Sequence, residues 1–572
     1  MKAAKFKRRS DIRLILLLLF LFSCLSYVFS KLIVIQVVEA TNLSKRAMSQ
    51  RLKTIEVPFT RGLILDRQAE ELAVSLDVEA VFATPYLIKN PEKAAFGLAP
   101  ILEIEVKEVY EKLTKKTGFV YLARKVDKEK TEKIKDLKIE GIGFIKDSKR
   151  CYPFKELGAQ VIGFVGIDNK GLNALEYYYN DVLSGEKGVL ISEMDPWGRS
   201  IPEGDYQYDK EIDGNSIITT LDKDIQYKAE IELKKCVEEY SAKGGTVIVI
   251  DPEDASIYAM ANYPTFDLNA FEETPKEDWR NRAVCDLYEP GSTMKAIIAT
   301  MAIEEKIYSP DSVLHVPSSL KIGTAIIGEA HHRPEGDYTL SEIITKSYNV
   351  GAVLIGMKLG KERIYNYLKE FGFGEKTGID FPGEAAGYLL HPDKWSKTTI
   401  ANIPFGQGIS VTPLQMIRAL SVIANGGFLV EPHFVDRIIG NDAETINTKN
   451  NLESKKIISS QTSEQVRNML EKAVRDGTGK GARIEGYKVA GKTGTAQKAK
   501  TGKPGYEEGK YIASFMGFVP VNEPKLAIIV IIDEPQGAYY GGVVAAPVFK
   551  EVAEFSLRHL KIPPEKEEEI ED

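Results

Sequence analysis

Cysteine, histidine and tryptophan are scarce in this chain, at 4, 6 and 3 among 572 residues. One cysteine, Cys24, lies inside an apolar run, which leaves Cys151, Cys236 and Cys285, an odd number that cannot all pair internally. Their spacing makes no metal box, and they read as small core residues. The histidines do not cluster beyond His331-His332, which reads as a surface pair rather than a ligand pair. Cys285 precedes Ser292 closely, but no neighbouring histidine marks it as a thiol nucleophile. Positive charge is not in excess either: a net charge of −7 gives nucleic acid nothing to hold. No solenoid period, coiled-coil heptad or mid-chain low-complexity tract is present. What remains is a globular composition, 43% hydrophobic and 27% charged. The length leaves room for more than one domain of about 100–200 residues.

The one long apolar run is at the start. Lys2, Lys5, Lys7, Arg8, Arg9 and Arg13 precede "LILLLLFLFSCLSYVFS", Leu14 to Ser30, and "LIVIQVV" follows Lys31. Seventeen helical residues rise about 25 Å against a hydrocarbon core of about 30 Å, so the span needs the helix to continue while Lys31 snorkels. The basic cluster holds this end in the cytoplasm, so the rest of the chain is exported. Val38-Glu39-Ala40 resembles a cleavage site only weakly, because Lys31 separates it from the apolar run. "LFSC" is a poor lipoprotein box because of Phe22. A retained single-pass anchor is the expectation.

From Thr41 to Asp209 charged helical stretches such as "PEKAAFGLAPILEIEVKEVYEKLTKKTG" alternate with short strands such as "TRGLILDR" and "QVIGFVGI". No cluster of catalytic residue types occurs there. A new unit then opens with a long helix, Lys223 to Ser241, and "GTVIVI", "DPEDA", "SIYAMA", which reads as a β-hairpin. "TMKAIIATMAIEEKI" reads as a largely buried helix. Near the far end "YKVAGKTGTAQ", "YIASFMGFVP" and "KLAIIVIIDEP" read as successive antiparallel strands. Strands at both sequence ends with helices between them imply helices layered on a sheet.

Ser292 and Lys295 stand one helical turn apart behind Pro290-Gly291, so the lysine can reach the serine oxygen. A serine hydroxyl needs an adjacent base, and lysine serves only if burial lowers its pKa. The alternative is an N-cap serine before a solvated lysine. S-x-x-K alone does not decide, because Ser184–Lys187 and Ser318–Lys321 match it as well. Ser347-Tyr348-Asn349 is the single S-x-N of the chain. Its hydroxyl could relay a proton and its amide could hold a peptide group. Lys-Thr-Gly starts four times, at Lys116, Lys376, Lys492 and Lys500, and only Lys492 follows a strand-like run. There an edge strand could offer Lys492, Thr493 and Thr495 to a carboxylate, with Gly494 letting a substrate backbone approach.

The ordered trio Ser292-x-x-Lys295, Ser347-x-Asn349 and Lys492-Thr493-Gly494 is the signature shared by penicillin-binding proteins and class A β-lactamases. With "RNRAVCDLYEPGSTMK", "PFGQGISVTPLQM", "GKTGTAQ", "FMGFVP" and "YYGGVVAAPVF", the sequence resembles the transpeptidase domain of class B penicillin-binding proteins. "TRGLILDRQAEELAVS" and "YPFKELGAQVIGFVGIDNKGLNALE" are similar to the family's pedestal. The short connection "TFDLNAFEETPKEDWRNRAV" is typical of cell-division (FtsI-type) members.

The resemblance implies an α+β multidomain chain: a cytoplasmic basic tail (1–13), an anchor (14–38), a dimerisation-type pedestal (41–209), a transpeptidase domain with an antiparallel sheet and helices on both sides (214–560), and an acidic disordered tail (561–572). It implies a nucleophile at Ser292, a base at Lys295, a proton relay at Ser347, peptide positioning by Asn349, carboxylate binding by Lys492, Thr493 and Thr495, and an oxyanion hole from the N–H groups of Ser292 and Thr495. The substrate would be the D-Ala-D-Ala end of a peptidoglycan stem peptide, with β-lactams as covalent inhibitors and no metal or organic cofactor. Partners would be a multispanning glycan polymerase of the membrane and other division proteins. Two positions depart from the family pattern, Gln68-Ala69 and Asn173-Ala174. An elongation-type transpeptidase, a D-Ala carboxypeptidase, a β-lactam hydrolase or sensor, and a silent scaffold are the alternatives.

Overall fold

The computed structural model describes residues 2–193, 206–323, 325–330, 333–442, 444–448, 454–500 and 505–565. His331, His332, part of the Lys500-Thr501-Gly502 match and most of the acidic tail lie outside the described residues. A helix runs from Lys2 to Ile33 and passes into a π-helical turn, Val34–Val38, without a break at Lys31. The stretch Asp11–Val38 is 28 residues long, long and apolar enough to cross a membrane.

The chain folds into two compact units that interleave along the sequence. One comprises Met1–Phe59, Asp77–Ser148 and Glu186–Ile212. In it Leu52–Val57, Gly188–Glu193 and Tyr206–Asp209 form an antiparallel sheet. Residues Glu79–Ala83 pair with Val120–Val126. Helices Pro91–Leu102, Val106–Leu113 and Lys128–Asp136 cover a small core of Val81, Leu98, Val109, Leu122 and Ile134. The long charged stretch splits into two helices because Glu103 takes a left-handed conformation, φ 57°, and ends the first.

The other unit holds Thr60–Leu76, Lys149–Gly185 and Asp213–Asp572. Its centre is an antiparallel sheet of β1 (Gly244–Ile250), β2 (Ile257–Tyr263), β3 (Ala490–Ala499), β4 (Tyr506–Val519) and β5 (Leu526–Asp533). The order is β2-β1-β5-β4-β3, which leaves β3 on an edge. Alternation sorts the side chains cleanly. Val247, Phe515 and Val530 pack on one face with helices Lys223–Glu239 and Gly541–His559. Ile248, Met516 and Ile529 pack on the other with Met294–Glu304 and Pro413–Ala424. Both faces being covered explains why these strands read as near-continuous apolar runs.

The structure departs from two sequence expectations, the strand at "QVIGFVGI" and the free acidic tail. Within the expected 41–209 stretch, Thr60–Leu76 and Lys149–Gly185 fold with this sheet's unit. A buried charge cluster ties those segments together: Glu176 accepts from Arg61 Nε at 2.7 Å and from Arg150 Nε at 2.6 Å. Removing either partner would strand a charge in the interior. "QVIGFVGI" is not a strand. Gly158 and Gly163, both at positive φ, bracket a single helical turn, Ala159–Ile162, with all four residues buried. The acidic tail begins docked rather than free: Glu565 N donates to Gly486 O at 2.9 Å, and its carboxylate accepts from Lys488 N at 2.6 Å.

All four cysteines are free thiols. Cys236 is the buried core residue expected, whereas Cys151 and Cys285 are half-buried.

Candidate active site

Pro290 and Gly291 reverse the chain into a 3₁₀ turn, Gly291–Thr293, that runs directly into the helix Met294–Glu304. The turn is held from behind. Tyr288 and Val411 exchange backbone hydrogen bonds of 3.0 and 2.9 Å, and Gly291 N donates to Gly406 O at 3.1 Å. Ser292 is half-buried, and no side chain caps either the turn or the helix. The N-cap alternative therefore fails at this residue.

Every residue from Met294 to Ile303 is buried, Lys295 included. The Lys295 amine donates to Asn349 Oδ1 at 2.6 Å, to Ser347 O at 2.7 Å and to Ser347 Oγ at 3.3 Å. These bonds, and not one to Ser292, hold the lysine. Ser347 ends the helix Leu340–Lys346 in the left-handed region, and Asn349 opens the helix Asn349–Leu359. Asn349 Nδ2 donates to Gly328 O at 3.1 Å. One hydrogen and one lone pair of its amide remain for a peptide.

From β3, the Lys492 amine donates to the same Ser347 Oγ at 2.9 Å and to Thr493 O at 3.2 Å. Thr493 Oγ1 shares a proton with Thr478 Oγ1 at 2.7 Å, and Thr495 Oγ1 accepts from Gly541 N at 3.2 Å. Gly494 serves the protein before any substrate: a Cβ there would lie 2.3 Å from Ser514 Oγ and 3.0 Å from Thr293 Cγ2. Its missing side chain lets the turn Gly291–Thr293 close on β3, a need the sequence reading assigned to substrate approach.

Burial sets Lys295 and Lys492 apart from the lysines of the repeated matches. Lys295 and Lys492 have no solvent exposure. Lys116, Lys187, Lys321, Lys376 and Lys500, from the repeated matches, are all exposed. Burial pushes the Lys295 amine down to about 7, with the charge of Glu329 opposing it. Burial, then repulsion from Lys295, holds Lys492 well below the ordinary lysine range. An amine that is neutral near pH 7 can accept a proton, which an exposed lysine cannot.

The sequence reading missed Glu329, Arg333, Thr478, Gly406 and Gly541. Gly406 and Gly541 sit inside the quoted stretches "PFGQG" and "YYGG", but Glu329 and Thr478 carry no local signal. Among the described residues Asp222, Asp224 and His559 bring three potential metal donors within 4.8 Å of one another. Two of them already have partners: Asp222 Oδ1 caps the helix Lys223–Glu239, and His559 Nε2 meets Asp222 Oδ2 at 3.1 Å.

Residues 245–554 match the penicillin binding protein transpeptidase domain, and residues 56–219 match the penicillin-binding protein dimerisation domain. The chain belongs to the class B penicillin-binding proteins. It is similar to stage V sporulation protein D of Bacillus subtilis (strain 168), with 37% identity over 92% of this chain and 82% of the relative. Identity to the peptidoglycan D,D-transpeptidase FtsI of Escherichia coli (strain K12) is 31%, covering 95% of this chain and 90% of the relative. Among solved structures, penicillin binding protein 3 of Mycobacterium tuberculosis complexed with aztreonam superimposes with a TM-score of 0.71 at 29% identity, covering 90% of this chain and 98% of that one. This penicillin-binding protein is accordingly a peptidoglycan D,D-transpeptidase.

Proposed function

We propose that Ser292 is the acyl-carrying nucleophile and that the enzyme cross-links stem peptides during septal wall synthesis. The observation that carries the chemistry is the convergence of two buried amines, Lys295 and Lys492, on Ser347 Oγ beside a half-buried serine. Neutral Lys295 takes the Ser292 proton as Oγ attacks the penultimate D-Ala carbonyl. The N–H groups of Ser292 and Thr495 receive the oxyanion, a contribution of about 3–4 kcal/mol per donor in comparable sites. The C–N bond to the terminal D-Ala breaks, and Ser347 passes a proton to the departing amine, replenished from Lys295. An amine from a second stem peptide then attacks the ester, loses its proton along the same route and returns Ser292 to its hydroxyl form.

Lys492, Thr493 and Thr495 hold the terminal carboxylate. That anion supplies the countercharge which restores the Lys492 proton. β-Lactams acylate Ser292 by the same attack and stay bound. The N-terminal helix anchors the enzyme as a single pass with its basic end in the cytoplasm. The catalytic unit then faces the wall at the division site, beside a multispanning glycan polymerase and other division proteins.

The higher identity to stage V sporulation protein D favours a second reading, wall synthesis in sporulation. Depletion separates the two: filaments support division, whereas normal division with defective spores supports the second. For the chemistry, full-length protein incubated with a fluorescent penicillin should form a stable covalent adduct that Ser292→Ala abolishes. An adduct surviving in that variant would sink the nucleophile assignment, and rapid penicillin turnover would replace it with a hydrolase.

A further inference from the structure

Lys295 is placed by two residues, Ser347 and Asn349, which lie on the junction between two helices rather than inside either. What holds that junction is a side chain from outside the three motifs. Glu329, just after the strand Ala325–Gly328, reaches the start of the helix Asn349–Leu359. Its Oε2 accepts from Asn349 N at 2.5 Å, and its Oε1 accepts from Val350 N at 3.1 Å. A carboxylate on the first free N–H groups of a helix is favourably placed by charge as well as by hydrogen bonding. The Glu329 side chain is only 6% exposed and is paired with Arg333, 5% exposed, at 3.2 Å.

Arg333 is itself fixed. It donates to Val316 O at 3.0 Å, Pro317 O at 2.7 Å and Pro334 O at 2.8 Å. Its guanidinium lies over the rings of Tyr348 and Tyr338, at 4.8 and 5.2 Å. Tyr348 is the central residue of the Ser347-Tyr348-Asn349 motif. The buried pair therefore grips the motif twice, Glu329 by its backbone N–H groups and Arg333 by its aromatic ring.

Resting on the reading of Lys295 as the base, we propose that Glu329, locked by Arg333, is a positioning residue for acylation. It fixes Ser347 and Asn349 against the Lys295 amine and supplies the negative charge that this amine faces. The charged groups around Lys295 are Glu329, which favours its protonated form, and Lys492 on β3, which repels it. Arg333 is the cation that offsets Glu329.

The test is the pH profile of covalent labelling by a fluorescent penicillin, measured on full-length protein with thermal melting as a folding control. Glu329→Gln keeps the shape but removes the charge and one acceptor. Its plateau rate should fall about tenfold or more, because misplacement of catalytic groups by fractions of an ångström is costly. Its acid limb should also move to lower pH by about one unit, since the charge that stabilised the Lys295 ammonium is gone. Arg333→Gln leaves Glu329 without its countercharge, so its acid limb should move to higher pH, a result that stands even if Glu329→Gln does not fold. A lowered plateau with the acid limb unmoved in both variants would reduce the pair to a structural strut and overturn the proposal. So would shifts in the same direction. Failure of the wild-type protein to label would sink the nucleophile reading instead.

Discussion

Gly406 presses against Gly291 so closely that a Cβ on Gly406 would fall 2.1 Å from the Gly291 carbonyl oxygen. Gly406 also sits at φ 80°, and its own carbonyl accepts the Gly291 N–H at 3.1 Å. The loop that "PFGQG" forms is thus the back wall of the turn that carries Ser292. Gly406→Ala should lose about 2–4 kcal/mol of stability from strain and clash together. Labelling by penicillin should fall far more than the unfolded fraction explains, because the turn carrying Ser292 must shift. Wild-type labelling kinetics in this variant would show that the turn tolerates displacement.

Lys295 predicts that rate and stability both fall toward acid pH, through the same amine. In the unfolded chain it is an ordinary lysine near 10.5, and in the folded chain it lies at about 7. Between those values the unfolded state binds the extra proton, so folding stability rises with pH across that window and falls toward its acid end. Lys492 acts in the same direction. Acylation should rise as pH passes upward through about 7 and the base becomes neutral. Lys295→Met should abolish labelling and flatten the rise in stability with pH, read by thermal melting at neutral and alkaline pH. A labelling rate independent of pH across neutrality would count against lysine as the base.

The two departures from the family pattern turn out to be alanines in the left-handed region, Ala69 at φ 65° and Ala174 at φ 52°. The turn at Ala69 forms regardless, with Asp66 Oδ1 accepting from Gln68 N and Glu70 N at 2.8 Å each. Ala69 is exposed, so Ala69→Gly removes about 1–2 kcal/mol of strain and gives back part of it in unfolded-state entropy. A net gain of about 0.5–1 kcal/mol is expected from chemical denaturation. Ala174 is buried, with 1% exposure, so the same change there loses packing and should gain less. Equal gains at both positions would contradict this.

These positions show where the sequence was legible. The catalytic sheet could be read because both faces are covered and its strands are unbroken apolar runs, as in "KLAIIVIIDEP". Ser292, Lys295, Ser347, Asn349 and Lys492 stand out in the sequence because each motif is local, spanning a turn or a strand. Glu329 could not, since its contacts with Asn349 and Val350 cross a stretch of chain with no periodic signal. The split of residues 41–209 between two compact units was hidden for the same reason. Arg61, Arg150 and Glu176 meet only in three dimensions, and nothing in "TRGLILDR" says that Arg61, the first of its two arginines, is almost wholly buried.

Ser347 allows its hydroxyl and its backbone to be tested separately. The hydroxyl accepts from Lys492 at 2.9 Å and from Lys295 at 3.3 Å, while the residue holds φ 62°. Ser347→Ala removes the hydroxyl and keeps the left-handed strain. Ser347→Gly removes the hydroxyl and relieves that strain. If the hydroxyl relays the proton, both variants should lose about 10²–10⁴ in acylation rate. Their stabilities should nevertheless differ, with glycine the more stable of the two. If instead Ser347 matters only for the bend between its flanking helices, both variants should keep most of the rate. Equal loss of rate with unequal melting temperatures is the outcome that assigns the proton to Ser347, because no purely structural role yields that pair of results.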